Sequence, residues 1–155
     1  MASNLFFYTT NIGKIGIVES DGFISKLFFD NEKIPQGISV FESALLREAA
    51  RELDLYLQRK LFSFNLPLKP AGTDFMVSVW NALREIPYGE CSTYKKIAVS
   101  IGNPTAVRAV GMANNRNPIP IIIPCHRVIG SDGSLVGYRG GLELKKRLLQ
   151  LESSS

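Results

Sequence analysis

Three runs rich in β-branched and aromatic residues open the chain: Leu5 to Tyr8, Lys14 to Val18 and Phe23 to Phe29. Such residues suit a half-buried pleated surface. Asn11-Ile12-Gly13 and Asp21-Gly22 separate the runs, and Asp-Gly is a strong hairpin signal. The pattern predicts an antiparallel three-stranded meander. A polar Pro/Gly stretch, Asn31 to Gly37, follows it. From about Val40 to Arg59 the spacing becomes helical. Phe41, Leu45, Ala49, Glu52 and Tyr56 trace one line, with Leu46, Leu53 and Leu57 beside it and the glutamate as its one polar member. Leu61 to Pro70 is apolar but broken by Pro67 and Pro70, which suits an extended connector. The chain therefore divides into an N-terminal unit, 1–70, and a C-terminal unit, 71–155.

The second unit reads as helical. Thr73 can cap a helix to about Ile86, with Phe75, Val79, Leu83 and Ile86 on one face. Pro87 and Gly89 end it. Ser92 or Thr93 starts another, from Tyr94 to Ile101, whose stripe is Tyr94, Ile97, Ala98 and Ile101. Gly102-Asn103-Pro104 stops it, and a third helix runs from about Thr105 to Asn114. That helix has a narrow face of Ala106, Ala109, Val110 and Ala113. Its opposite face carries Thr105, Arg108, Met112 and Asn115. Two short helices around a tight turn resemble a helix-turn-helix. A last helix, Leu142 to Glu152, places Leu144, Leu148 and Leu151 on one face, with Lys145, Lys146 and Arg147 expected on its solvated side. The fold class is α+β: a small three-stranded antiparallel sheet plus a helix, then a mainly helical part with a helix-turn-helix.

Composition narrows the function. Apolar residues are 45% of 155, enough for a core, so wholesale disorder is excluded. No apolar run approaches the ~20 residues of a membrane span, and no secretory signal is visible. Two cysteines, Cys91 and Cys125, make no disulfide framework, and one histidine, His126, excludes a multi-histidine metal site. A cytoplasmic, monomeric protein without metal or cofactor is expected. The net charge of +4 lies wholly in the second half. Residues 1–71 hold eight Lys/Arg and eight Asp/Glu, and residues 72–155 hold ten and six. A polyanionic partner should dock there.

The chemistry concentrates in residues 117–128, Asn-Pro-Ile-Pro-Ile-Ile-Ile-Pro-Cys-His-Arg-Val. The apolar run reads as a buried extended segment delivering Pro124 to Arg127 to a defined place. A thiolate is the nucleophile, and neighbouring positive charge favours it. His126 can take the proton of Cys125, and Arg127 could add positive potential. Adjacent strand residues point to opposite faces, so the pair needs a turn or a bridging water. Asp132, Glu143 and Glu152 are each able to fix the histidine tautomer. The Gly-rich stretch from Gly130 to Gly141 contains Tyr138-Arg139 and can close over a pocket or simply turn.

Ile123 to Val128 resembles the active-site signature of the O6-alkylguanine-DNA alkyltransferases. Tyr88-Gly89-Glu90, Thr93-Tyr94, Gly102-Asn103-Pro104, Arg108-Ala109-Val110, Asn117-Pro118 and Gly137 to Gly141 follow in that family's order. The resemblance spans residues 75–152. It implies transfer of the alkyl group from guanine O6 in double-stranded DNA to Cys125, with O4-alkylthymine as a further candidate substrate. His126 would be the base through a bridging water, oriented by Glu152. Asn117 would tie the turn before the active site to the helix-turn-helix. Tyr94 would donate to the ring N3 and help rotate the target phosphate. Arg108 would fill the gap left by a base flipped from the minor groove, on a DNA-binding helix that includes Thr105. The main-chain carbonyls of Cys125 and Val128 would accept from the guanine amine. The Tyr138 hydroxyl and the Arg139 amide would stabilise O6. A thioether is stable, so each molecule would act once.

Departures from the family pattern are visible too. The N-terminal half has no histidine or cysteine for a structural zinc site, and Arg139 stands where other members have serine. Asn114-Asn115-Arg116 replaces small or apolar residues near the pocket wall. Three rival readings differ in their chemistry. A damage-flagging binder would lack the acceptor cysteine, a cysteine hydrolase would turn over, and a plain helix-turn-helix protein would gain nothing from a thiolate.

Overall fold

The structure, a computed structural model, describes residues 3–153. It divides into two compact units, Met1–Pro70 and Ala71–Ser155.

In the first unit, β1 (Ser3–Thr10), β2 (Gly13–Ser20) and β3 (Phe23–Phe29) form the antiparallel meander. Asp21 and Gly22 both take positive φ, which the tight β2–β3 hairpin requires. A short fourth strand, β4 (Ser39–Val40), adds parallel to β1, giving the order β3-β2-β1-β4. Helix α1 (Ala44–Leu57) therefore begins later than the expected start at Val40, and Phe41 lies outside it, exposed. The boundary has a physical cause. Ser43 caps the helix by accepting from the Leu46 amide, and its hydroxyl also donates to Glu19 of β2. At the other end Arg59 takes φ 63°, and the Arg59 and Lys60 amides return to the Tyr56 and Leu55 carbonyls. That is a glycine-type helix stop made by an arginine.

Leu46, Ala49, Leu53 and Tyr56 are buried in this unit, as are Ile15, Ile17, Ile24 and Leu27 of the sheet. Glu52 is buried because it accepts from the Asn65 amide at 2.8 Å. The polar member of the stripe thus anchors the segment after the helix. That segment is extended, and Pro67 and Lys69 bracket Ile24 of β3 by main-chain hydrogen bonds.

The second unit begins with α2 (Asp74–Arg84), capped by Thr73. Asp74 in its first turn and Arg84 in its last complement the helix dipole. Trp80 is buried, and its indole N–H donates to the Ala113 carbonyl at 2.9 Å, tying α2 to α4 (Val107–Asn115). Thr93 caps α3 (Tyr94–Ser100). The turn between α3 and α4 contains Gly102 at φ 78°. Helix α4 starts two residues after its expected position, so Thr105 sits in the preceding turn, exposed. Its small face is only partly buried: Val110 and Ala113 are inside, Ala109 is exposed. A two-residue parallel ladder joins β5 (Ser92–Thr93) to β6 (Val128–Ile129). Helix α5 (Leu142–Ser153) closes the unit. No helix is long and apolar enough to cross a membrane.

Candidate active site

Residues 117–128 are not extended as the apolar run suggested. The Ile123 amide returns to the Ile119 carbonyl, and Ile121 takes φ 74° while buried. A β-branched residue in the left-handed region is strained, by roughly 1–3 kcal/mol. Asn117 holds the strain in place. Its Oδ1 accepts from the Ile119 amide at 3.0 Å and its Nδ2 donates to the Ile123 carbonyl at 2.8 Å. The side chain is wholly buried, so neither bond competes with water. Cys125–Arg127 then form a single 3₁₀ turn ahead of β6. The β5–β6 ladder pairs Ser92 with Val128 and Thr93 with Ile129, so the thiol turn and Tyr94 are placed by the same two strands.

The histidine partner is settled by geometry. His126 Nε2 lies 2.6 Å from Glu152 Oε2. Asp132 and Glu143 are exposed, and Asp132 accepts from Ser134 instead. Glu152 Oε1 also accepts from Arg127 Nε at 2.8 Å and from the Gly89 amide at 3.2 Å, and Oε2 from Arg127 Nη2 at 3.0 Å. Both oxygens face guanidinium donors, which leaves no place for a carboxyl proton. The Nε2 therefore carries the imidazole proton and donates it to Glu152, and Nδ1 presents the lone pair. Burial holds the His126 pKa below its ordinary value, against the hydrogen bond and charge of Glu152.

Arg127 departs from its expected role beside the thiol. Its side chain turns to Glu152 and donates through Nη1 to the Ile86 carbonyl at 2.7 Å. The positive charges that do act on Cys125 come from Lys145 and Arg139. Burial pushes the Cys125 thiol up to about 11, while a hydrogen bond from Asn117 and the charges of Lys145 and Arg139 pull it down. Lys145, expected on the solvated side of α5, is 0% exposed. Its ammonium donates to the Val136 carbonyl at 2.9 Å and the Gly137 carbonyl at 3.3 Å, fixing the Gly-rich loop. Arg139 enters through its side chain, which donates to the Asn117 carbonyl. The Tyr138 hydroxyl is buried. Tyr94 lies on α3 with its hydroxyl donating to the Val136 carbonyl at 2.9 Å.

Cys125, His126, Glu152, Asn117 and Val128 thus share one buried framework, and Tyr94, Tyr138 and Arg139 meet it through the 130–141 loop. Arg108 and Thr105 stand apart on the exposed surface of α4 and its approach. Lys145 joins the site although the run around it reads as solvated. Its place three residues before Leu148 at helical spacing was the available signal. Lys145→Met is expected to raise the Cys125 pKa further, moving the labelling of this thiol by a small alkylating reagent to higher pH. Alkylation rates followed against pH measure the shift. Among the described residues no cluster of His, Cys, Asp or Glu is arranged to hold a metal.

Both halves of the chain match known domains. Residues 74–154 match the 6-O-methylguanine DNA methyltransferase DNA binding domain, and residues 6–70 match the ribonuclease-like domain of the same proteins. A methylated-DNA–protein-cysteine methyltransferase of Methanosarcina barkeri is 68% identical over 109 residues, 70% of this chain and 69% of that protein. The constitutive one of Bacillus subtilis is 42% identical over 159 residues, 96% of each. Mycobacterium tuberculosis OGT, solved in complex with DNA, superimposes with a TM-score of 0.92 at 39% identity, covering 97% of this chain and 92% of that one. Fold and matches together define a DNA-repair alkyltransferase with a protein cysteine as acceptor. The chain belongs to the 6-O-methylguanine DNA methyltransferase family, whose enzymes are methylated-DNA–protein-cysteine methyltransferases.

Proposed function

We propose that this protein repairs O6-alkylguanine in duplex DNA by moving the alkyl group irreversibly to Cys125. The observation that carries the reading is the buried line Arg127–Glu152–His126 ending in the 3₁₀ turn that holds the thiol. His126 Nδ1 takes the Cys125 proton through a bridging water. The sulfur forms a bond to the alkyl carbon as the carbon–O6 bond breaks. The electron pair leaves with guanine, and the proton passed to His126 neutralises the departing base. Arg139, Lys145 and Asn117 favour the thiolate as it develops. Val128 and Cys125 offer main-chain carbonyls to the base, and Tyr138 with the Arg139 amide stabilises O6.

Helices α3 and α4 act as the helix-turn-helix. Arg108 and Thr105 face DNA from the minor groove, and Arg108 fills the space of the flipped nucleotide. Tyr94 exchanges its Val136 hydrogen bond for the base and its phosphate. Base flipping costs a few kcal/mol, least for a poorly paired lesion. Arg108→Ala should therefore slow transfer from duplex by roughly 10- to 100-fold, the ~1–3 kcal/mol of one lost arginine contact. Transfer from the free O6-methylguanine base should stay unchanged. Equal slowing of both would remove Arg108 from the DNA interface.

The electrostatics fix a pH profile. A thiol near 11 and a histidine below its usual ~6.5 stay neutral together across neutral pH. Single-turnover rates should be flat there and fall only as His126 protonates below about pH 6.5. Free ionisation of an ordinary thiol would instead raise the rate tenfold per pH unit. Stability follows the same window. The unfolded chain binds the histidine proton first as pH falls, so stability is lost below about 6.5. The stoichiometry tests the proposal. Guanine restored in a duplex with one O6-methylguanine should plateau at one per protein chain, and continued turnover would refute a stable thioether.

A further inference from the structure

One buried polar atom beside Cys125 has no part in that scheme. Asn114, near the end of α4, is 1% exposed. Its Nδ2 lies 3.4 Å from the Cys125 carbonyl oxygen and donates to it. Its Oδ1 has no hydrogen-bond partner among the described residues. A buried acceptor without a donor is costly, and an apolar residue of similar size would avoid the cost. Reversing the amide gives no relief, because Oδ1 would then oppose the Cys125 carbonyl, one acceptor against another. The unused oxygen is therefore held within one amide group of the main chain of the reactive cysteine. Asn115, next in sequence, serves the loop instead. Its amide lies against Gly137, where an added Cβ would meet it at 2.8 Å.

We propose that Asn114 determines base specificity, its Oδ1 accepting a hydrogen bond from the 2-amino group of the alkylated guanine. The inference rests on the reading that O6-alkylguanine enters this site, and it adds the residue that selects it. Alkylation at O6 leaves guanine N1 without a proton, so the pairing edge keeps one donor group, the 2-amine. That amine has two hydrogens. One can go to Asn114 Oδ1, in place of the Cys125 carbonyl that Asn114 Nδ2 already occupies, and the other to the Val128 carbonyl. Occupying Oδ1 relieves the buried acceptor only when such a base is bound. A base with hydrogen at that position leaves Oδ1 unsatisfied, and one with a carbonyl there, as in alkylated thymine, opposes it directly. Sites built to bond a polar group reject analogues lacking it more strongly than apolar sites do.

Single-turnover methyl transfer to the intact protein tests this with two duplexes, identical except for O6-methylguanine or O6-methylhypoxanthine, which lacks the 2-amine. The unaltered protein should prefer O6-methylguanine by about tenfold or more, the scale of one buried hydrogen bond. Asn114→Leu, which keeps the branching at Cγ without the amide, should cut the ratio about tenfold by slowing mainly the guanine substrate, the main-chain carbonyl bond keeping a residual preference. Asn114→Ala provides the same reading if leucine disturbs folding, which Trp80 fluorescence reports. An unchanged ratio, or equal slowing of both substrates, overturns the proposal and leaves Asn114 as a prop for the Cys125 carbonyl. No transfer from either duplex by the unaltered protein refutes the underlying function instead.

Discussion

Cys125→Ser is expected to abolish methyl transfer while leaving duplex binding within about twofold. The serine keeps the 3₁₀ turn and accepts the same Asn117 contact, so the loss is chemical rather than structural. A serine hydroxyl has a far higher pKa than a thiol, and His126 as sole base cannot ionise it usefully. Burial of the hydroxyl in place of sulfur should cost at most ~1–3 kcal/mol of stability. Cys91→Ser is the informative companion. Cys91 is exposed and Cys125 buried, so a generic alkylating reagent should label Cys91 first. The lesion should distinguish them in the opposite sense, because the proposed function brings the flipped base to Cys125 and not to Cys91. Single-turnover assays of both variants decide the matter. Residual transfer in Cys125→Ser, or its loss in Cys91→Ser, would move the acceptor role.

Glu152→Ala is expected to be the most damaging substitution outside the apolar core. The carboxylate gathers His126, two nitrogens of Arg127 and the Gly89 amide. Removing one partner from a buried ion pair costs roughly 3–5 kcal/mol, since the other charge is left uncompensated. Trp80 is the one tryptophan and is buried in the same unit, so its fluorescence during urea unfolding reports this loss. Pairing the change with Arg127→Met should recover much of the stability, because the stranded charge disappears with it. Activity should not recover. His126 then lacks the group that fixes its tautomer, and transfer should remain slower by about 10²–10⁴, the usual worth of a positioned base. A loss under about 1 kcal/mol in the single variant, far below the 3–5 expected for a broken buried pair, would mean that the cluster is not coupled as the distances indicate.

Local patterns carried the meander, the capped helices and the Pro-Cys-His-Arg segment, because each is written in neighbouring residues. Glu152 was one of three candidate carboxylates by spacing, and only the resemblance singled it out. Its position near the chain end conceals that it is clamped by Arg127 and Gly89, 25 and 63 residues before it in sequence. Other features depend on contacts that no local period encodes. Ile121 adopts a left-handed backbone that isoleucine disfavours, and Asn117 enforces it from outside the turn. Lys145 looks solvated in a Lys-Lys-Arg run, yet it turns inward to carbonyls of a loop eight and nine residues earlier. Arg127 neighbours the thiol in sequence, but a 3₁₀ turn points it to Glu152. The late start of α1 has the same origin, since Val40 extends the sheet beside β1.

Peptide mass mapping after reaction shows directly whether the DNA methyl group ends on Cys125. The intact protein is mixed with excess duplex carrying one O6-methylguanine, quenched and digested, and both cysteine peptides are weighed. One methyl is expected on the peptide containing Cys125, complete in every molecule, and none on the peptide containing Cys91. A methyl on Cys91, or unmodified Cys125 alongside restored guanine, would contradict it.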